Sequence, residues 1–121
     1  MTLAATIDRK HAGPRMSKIV KHAGLVYLCG QTSSGSHATS IQEQTKEVLN
    51  RIDTLLGEAG SDKSRILSAL IHLRSIDDFS SMNHIWEGWI PAGAAPARST
   101  VEARLASGGL KVEITIVAAV S

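Results

Sequence analysis

The segment Lys111–Val120 constrains the fold more tightly than any other stretch of the chain. Val112, Ile114, Ile116, Ala118 and Val120 recur at every second position, which is one face of a β-strand. Glu113, Thr115, Val117 and Ala119 occupy the opposite face. The first face suits packing under helices. The second is too apolar at Val117 and Ala119 to be left wholly to water, so a second chain should cover it. The pattern predicts a homo-oligomer with Glu113 near a subunit interface.

Other elements follow from local signals. Short strands are expected over residues 3–8, Arg15–His22 and Leu25–Cys29, with His22-Ala23-Gly24 as a tight turn and Gly24 at positive φ. Thr32–Thr39, rich in Ser and Gly, reads as a loop. Ser40-Ile41-Gln42-Glu43 is a capping box. Behind it Ile41, Thr45, Val48, Ile52, Leu55 and Ala59 recur at helical spacing until Gly60. Ile66–Leu73 (ILSALIHL) reads as a buried strand by its apolar content, with a helical turn as the alternative. Asp77 or Asp78 is placed to cap a second helix whose stripe is Phe79, Met82, Trp86 and Trp89 and which Pro91 and Gly93 end. Strands over Ala97–Leu105 and Lys111–Val120 follow, joined by a Ser107-Gly108-Gly109 turn.

The order β-β-β-α-β-α-β-β predicts an α+β fold, a mostly antiparallel sheet with two helices on one face. The 121 residues suit a single domain spanning 1–121. With Tyr27, Phe79, Trp86 and Trp89 as the only aromatics, the core must be built from Val, Ile, Leu and Ala. A net charge of +2, scattered along the chain, argues against a nucleic-acid partner. The single cysteine, Cys29, excludes an internal disulfide and a cysteine zinc cluster. No apolar run approaches a membrane span and the first residues lack the apolar centre of a signal peptide, so the expected compartment is the cytoplasm.

Chemistry centres on Pro96-Ala97-Arg98-Ser99-Thr100-Val101-Glu102 and Lys111-Val112-Glu113-Ile114. They are expected to place Arg98 and Glu113 on adjacent strands. An arginine held on a strand is a fixed fork for a carboxylate, and a glutamate beside it can hold or activate a water. The pair suggests a site that grips a small acid and hydrolyses it without a cofactor. The structural alternatives are a salt bridge from Arg98 to Glu102 and an interface ion pair at Glu113. His11, His22, His37, His72 and His84 show no metal-ligand spacing and default to solvent or core roles. Cys29 has no neighbouring histidine and reads as a small filler rather than a nucleophile. The serines lack a nucleophile-elbow context. Trp86 and Trp89 read as core.

Several segments together resemble the reactive intermediate deaminase (RidA, or YjgF-like) family. They are Gly13-Pro14, Cys29-Gly30-Gln31, Gln44-Thr45, Asp78-Phe79-Ser80-Ser81-Met82-Asn83, Pro96-Ala97-Arg98-Ser99 and Val112-Glu113-Ile114, in order along nearly the whole chain. The resemblance implies a chorismate-mutase-like subunit in a homotrimer, its sheets forming a central barrel and its sites lying between subunits. It implies hydrolysis of enamine and imine acids such as 2-aminoacrylate and 2-iminopropanoate, released by pyridoxal-phosphate enzymes, to 2-keto acids and ammonia, with no metal or cofactor. By resemblance Arg98 binds the substrate carboxylate and Glu113 stands near the attacking water. Cys29 replaces a pocket serine, and Gly30 lets the backbone approach the ligand. Arg15 stands where typical members have a pocket tyrosine, so it either adds positive charge to the pocket, favouring a larger or dicarboxylic acid, or faces outward. Two other functions compete: a non-catalytic trimer that senses carboxylates through Arg98, and RNA cleavage, which the scattered charge disfavours.

Overall fold

Six strands and two helices account for the regular structure of residues 6–120, which the computed structural model describes. The strands are β1 (Asp8–Ala12), β2 (Ser17–His22), β3 (Leu25–Leu28), β4 (Ile66–Leu73), β5 (Ala97–Glu102) and β6 (Val112–Ala119). The helices are α1 (Ile41–Glu58) and α2 (Phe79–Trp89). The strands form one mixed sheet in the order β1-β2-β3-β6-β4-β5, antiparallel except where β4 pairs with β5. The expected α+β architecture is therefore present.

Local chemistry explains the boundaries. At α1 the Ser40 hydroxyl accepts from the Glu43 amide at 3.1 Å while the Glu43 carboxylate accepts from the Ser40 amide at 3.1 Å, so the capping box forms in full. Gly60, at φ 80°, ends the helix in the left-handed region, and the Ser61 amide returns to the Leu56 carbonyl. The β2–β3 turn puts Ala23 and Gly24 both at positive φ, the geometry that matches the twist of a two-residue hairpin. The expected first strand is displaced: β1 begins at Asp8, and residues 3–5 of that expectation lie outside the described residues. β2 begins at Ser17 rather than Arg15, because Gly13 and Met16 close the preceding turn with an N–H to carbonyl bond of 2.8 Å. Neither aspartate side chain caps α2. Ser75 instead caps a 3-10 turn over Ile76–Asp78 that leads into the helix.

Both helices cover one face of the sheet. Ile41, Val48, Leu49, Ile52, Leu55 and Leu56 of α1 and Met82 and Trp86 of α2 meet Ile19, Val26, Leu28, Ala69, Ile71, Leu73, Val112, Ile114, Ile116 and Ala118. Each fully buried Ile or Leu in this layer contributes roughly 1.5–3 kcal/mol from removal of apolar surface. Gln44, nearly fully buried, sews α1 to the approach of β6: its amide donates to the Gly109 carbonyl at 2.8 Å and its carbonyl accepts from the Lys111 amide at 2.8 Å. The alternation expected in β6 is present, with Val112, Ile114, Ile116 and Ala118 at 0% exposure and Glu113, Thr115, Val117 and Ala119 on the face without helices.

Two expectations about the sheet are overturned. β5 and β6 are not neighbours: β4 lies between them, parallel to β5 and antiparallel to β6. A helix between two strands of one sheet returns the chain to run parallel, so β4, α2 and β5 form a crossover unit. Ser107-Gly108-Gly109 is thus a loop that carries the chain past the end of β4, not a hairpin turn. Arg74 pins that loop, its guanidinium donating to the carbonyls of Leu105, Ser107 and Leu110. β4 is a strand as its composition suggests, but only its Ala69, Ile71 and Leu73 side is buried, while Leu70 on the other side is 39% exposed. Leu70, Val117, Tyr27 and Val101 share the open face, where the register sets Tyr27 opposite Val117 and Val101 beside His72.

Candidate functional site between an edge arginine and an open-face glutamate

Arg98 is the second residue of edge strand β5 and aligns with the buried Ala69 of β4, which places its side chain on the helix side. There the guanidinium carbon stands 5.5 Å from the ring centre of Trp86 and 5.9 Å from that of Phe79. Facing aromatic rings attract the cation without consuming its N–H donors. Phe79 is therefore not core, as its helical stripe suggests, but a 40% exposed platform. Burial draws the Arg98 pKa down from its ordinary value, and the Glu87 carboxylate partly restores it. Among the described residues Arg98 has no hydrogen-bond or ion-pair partner. The alternative salt bridge to Glu102 is not formed, since Glu102 accepts from the Ile76 amide at 3.0 Å.

Two further polar atoms in this layer are without partners among the described residues. Thr100 lies two residues along β5 on the same face, and its Oγ1 is buried without a partner. Asn83, between Phe79 and Trp86 on the inner stripe of α2, carries a buried unpartnered Oδ1. Buried polar atoms normally find partners, so both are suited to a ligand or water beside Arg98. Neither was assigned a role from sequence. The available signal was a polar residue, Asn83, inside an otherwise apolar helical stripe.

Glu113 is on the opposite face of the sheet. It pairs with His72, and its carboxylate lies against Gly30: a Cβ built on Gly30 would stand 2.9 Å from both Cδ and Oε2. Gly30 is thus the residue whose missing side chain makes room for the carboxylate. Cys29 precedes it, with its amide bonded to the Lys18 carbonyl at 3.1 Å and its sulfur accepting from the Gln31 side chain at 3.3 Å. Burial pushes the Cys29 thiol pKa up, Lys18 and the Gln31 bond pull it down, and Glu113 adds a further push upward. A raised thiol is a poor nucleophile at neutral pH. Arg15 sits exposed in the β1–β2 turn, three residues before Lys18 and so at the same end of the sheet as Cys29.

The structure therefore brings Cys29, Gly30 and Glu113 together and leaves Arg98 apart. Arg98 aligns with Ala69 and Glu113 with His72, on strands either side of β4 and on opposite faces. Strand spacing and rise put their Cα atoms about 14 Å apart. Within one chain the two side chains do not converge. A hollow of about 400 Å³ at the β5 edge, lined by the open-face residues Ser68, Leu70, Ser99, Thr115 and Val117 and bordered by Arg98, whose side chain leaves from the other face, reaches toward the Glu113 strand. A larger groove of about 530 Å³ between α1 and α2 contains none of Arg15, Cys29, Gly30, Arg98 and Glu113.

Fold and site together define a small α+β subunit with one sheet face under two helices and an uncovered face carrying polar chemistry at its end. The sequence profile of the family described as Endoribonuclease L-PSP matches residues 6–120. The RutC family protein YoaB of Escherichia coli K12 is 44% identical over 95% of this chain and 99% of its own. The Arabidopsis thaliana protein named Reactive Intermediate Deaminase A, chloroplastic, is 31% identical over 84% of this chain and 57% of its own. A solved Neisseria meningitidis member of the YjgF family superposes with a TM-score of 0.92 at 41% identity, covering 96% of both chains. The chain belongs to the endoribonuclease L-PSP family, whose relatives carry the RutC and YjgF names, in agreement with the resemblance seen in the sequence.

Proposed function

We propose that this protein hydrolyses small 2-imino acids and their enamine forms to 2-keto acids and ammonia, at sites formed between the subunits of a homotrimer. The observation that carries the reading is Arg98: a partly buried guanidinium resting on Trp86 and Phe79, influenced by Glu87 at a distance but in no ion pair among the described residues. Such a group is prepared for an external carboxylate, which a planar fork binds bidentately. The trimer is supported by the apolar open face and by the placement of Arg98 and Glu113 on opposite faces, which requires a second chain for them to meet at one substrate. The relative named a reactive intermediate deaminase supports the reaction class.

In the proposed reaction Arg98 holds the carboxylate and sets the C=N carbon beside a water on Glu113. Glu113 takes a proton from the water as its oxygen bonds to the carbon of the protonated imine, giving a carbinolamine. That proton then passes to the amino nitrogen, the carbinolamine hydroxyl gives its own proton to Glu113 as the C–N bond breaks, and ammonia leaves as the C=O forms. No cofactor enters this chemistry. In this reading Arg15 and Cys29, at the same end of the sheet as Glu113, set what else the substrate can carry. Among the described residues no helix is long and apolar enough to cross a membrane, and the proposed working compartment is the cytoplasm. The separation of Arg98 from Glu113 in a single chain favours a second reading, a non-catalytic carboxylate sensor that needs only Arg98.

The test follows 2-iminopropanoate, generated by an amino-acid oxidase, through ammonia and pyruvate release. Wild type should accelerate imine loss, Arg98→Ala should fall to background through lost binding, and Glu113→Gln should bind but turn over slowly. Undiminished activity in both variants would sink the assignment. Carboxylate binding without acceleration, unaffected by Glu113→Gln, would establish the sensor reading.

A further inference from the structure

We infer that His72 is a positioning residue for Glu113, and that its Nδ1 is the partner the carboxylate takes in the working site. The inference rests on the hydrolase reading above. His72 lies on β4 directly opposite Glu113 of β6, so the two side chains leave the same face from Cβ atoms about 5 Å apart. His72 Nδ1 is buried and has no hydrogen-bond partner among the described residues. Water does not reach it, and its register neighbour on the other side is the apolar Val101. Glu113 is thus the polar side chain in direct register with the orphaned nitrogen. The alternating hydroxyls of Ser99 and Thr115 are diagonal neighbours, farther away.

The Glu113 carboxylate has two places to rest. One is the space left by the absent side chain of Gly30, on the β3 side, where it is found. The other is across β6 toward His72. An imidazole there orients one carboxylate oxygen and leaves the second for water. Other charged or titratable groups at this end are Lys18 and Cys29, which act on each other across the β2–β3 pair, the exposed Arg15, Lys111 ahead of β6, Glu102, which accepts from the Ile76 amide, and Arg74, which is committed to loop carbonyls.

Three variants separate this role from simple packing. His72→Phe keeps ring volume and removes both nitrogens. His72→Asn retains a polar atom at the Nδ1 position, whereas His72→Gln places one nearer Nε2. For 2-iminopropanoate, kcat should fall about tenfold or more in His72→Phe and His72→Gln, the worth of one charge-assisted hydrogen bond, with KM little changed. His72→Asn should recover most of that loss. Independently of turnover, the ring ¹⁵N resonances of His72 in the full-length protein should shift on Glu113→Gln. Unchanged ¹⁵N resonances, or full kcat in His72→Phe, overturns the inference. If wild type itself hydrolyses no imino acid, the hydrolase reading fails and the ¹⁵N experiment alone decides whether His72 and Glu113 are paired.

Discussion

Gly30→Ala separates the cost to the fold from the cost to the site. The new Cβ would meet Glu113 Cδ and Oε2 at 2.9 Å, closer than such atoms approach, and Cγ at a tight 3.1 Å. The obstacle is the far end of a flexible side chain, and Gly30 is not among the glycines at positive φ, so the backbone accepts alanine without strain. Turning Glu113 away costs about 0.5–1.5 kcal/mol if it leaves its preferred rotamer. Replacing glycine restricts the unfolded chain and returns about 0.4–1 kcal/mol. The two nearly cancel, so net stability should change by less than about 1 kcal/mol, a Tm shift within about 4 °C for a chain of this size. Turnover should nonetheless fall at least tenfold, because the methyl fills the space beside Gly30 that substrate and water take once Glu113 turns toward His72, and a displacement of the order of 1 Å is enough to spoil a reacting geometry. The assay pairs calorimetry at matched protein concentration with 2-iminopropanoate hydrolysis. A loss of several kcal/mol would show that the Glu113 carboxylate is locked in place and that the stability reasoning is wrong. Full activity in a stable variant would show that its position beside Gly30 has no bearing on the reaction.

Two other outcomes follow from the same geometry. Because burial raises the Cys29 thiol pKa, its thiolate fraction at pH 8 is reduced, and alkylation by iodoacetamide should be slower than that of a free cysteine in a peptide; faster labelling would contradict the buried-filler role. The same shift means the folded chain holds this proton more tightly than the unfolded one, so its contribution to stability is intact below the unfolded thiol's pKa and declines as pH rises through the folded value. Val117→Asp places a charge in the middle of the open face beside Tyr27 and Ser68, and should convert the proposed trimer to folded monomers in analytical ultracentrifugation. A variant that remains trimeric would remove this face from the interface.

Local signals carried far into the fold. The capping box at Ser40 and Glu43, the apolar stripe of α1, the Ala23-Gly24 turn and the alternation of β6 all depend on residues within a few positions of one another, and each is present. The segments that resembled a known family place the chain in it. Where the reading failed, the deciding contact lay far away in sequence. Phe79 looks like a core residue by its spacing, and becomes a platform only because β5 delivers Arg98 above it. Asn83, Thr100 and His72 carry no short-range pattern, and their orphaned polar atoms exist only once α2, β4, β5 and β6 are packed.

The sequence by itself determined most of the elements and the α+β class, because helix caps, turns and apolar periods are local properties of the chain, and it supplied the arginine and glutamate proposed to act on a small acid. Only the tertiary structure decided that β4 separates β5 from β6. A crossover through α2 makes β5 run parallel, and the register then sends Arg98 and Glu113 to opposite faces. Strand order and register arise from packing between residues tens of positions apart, which no local pattern encodes.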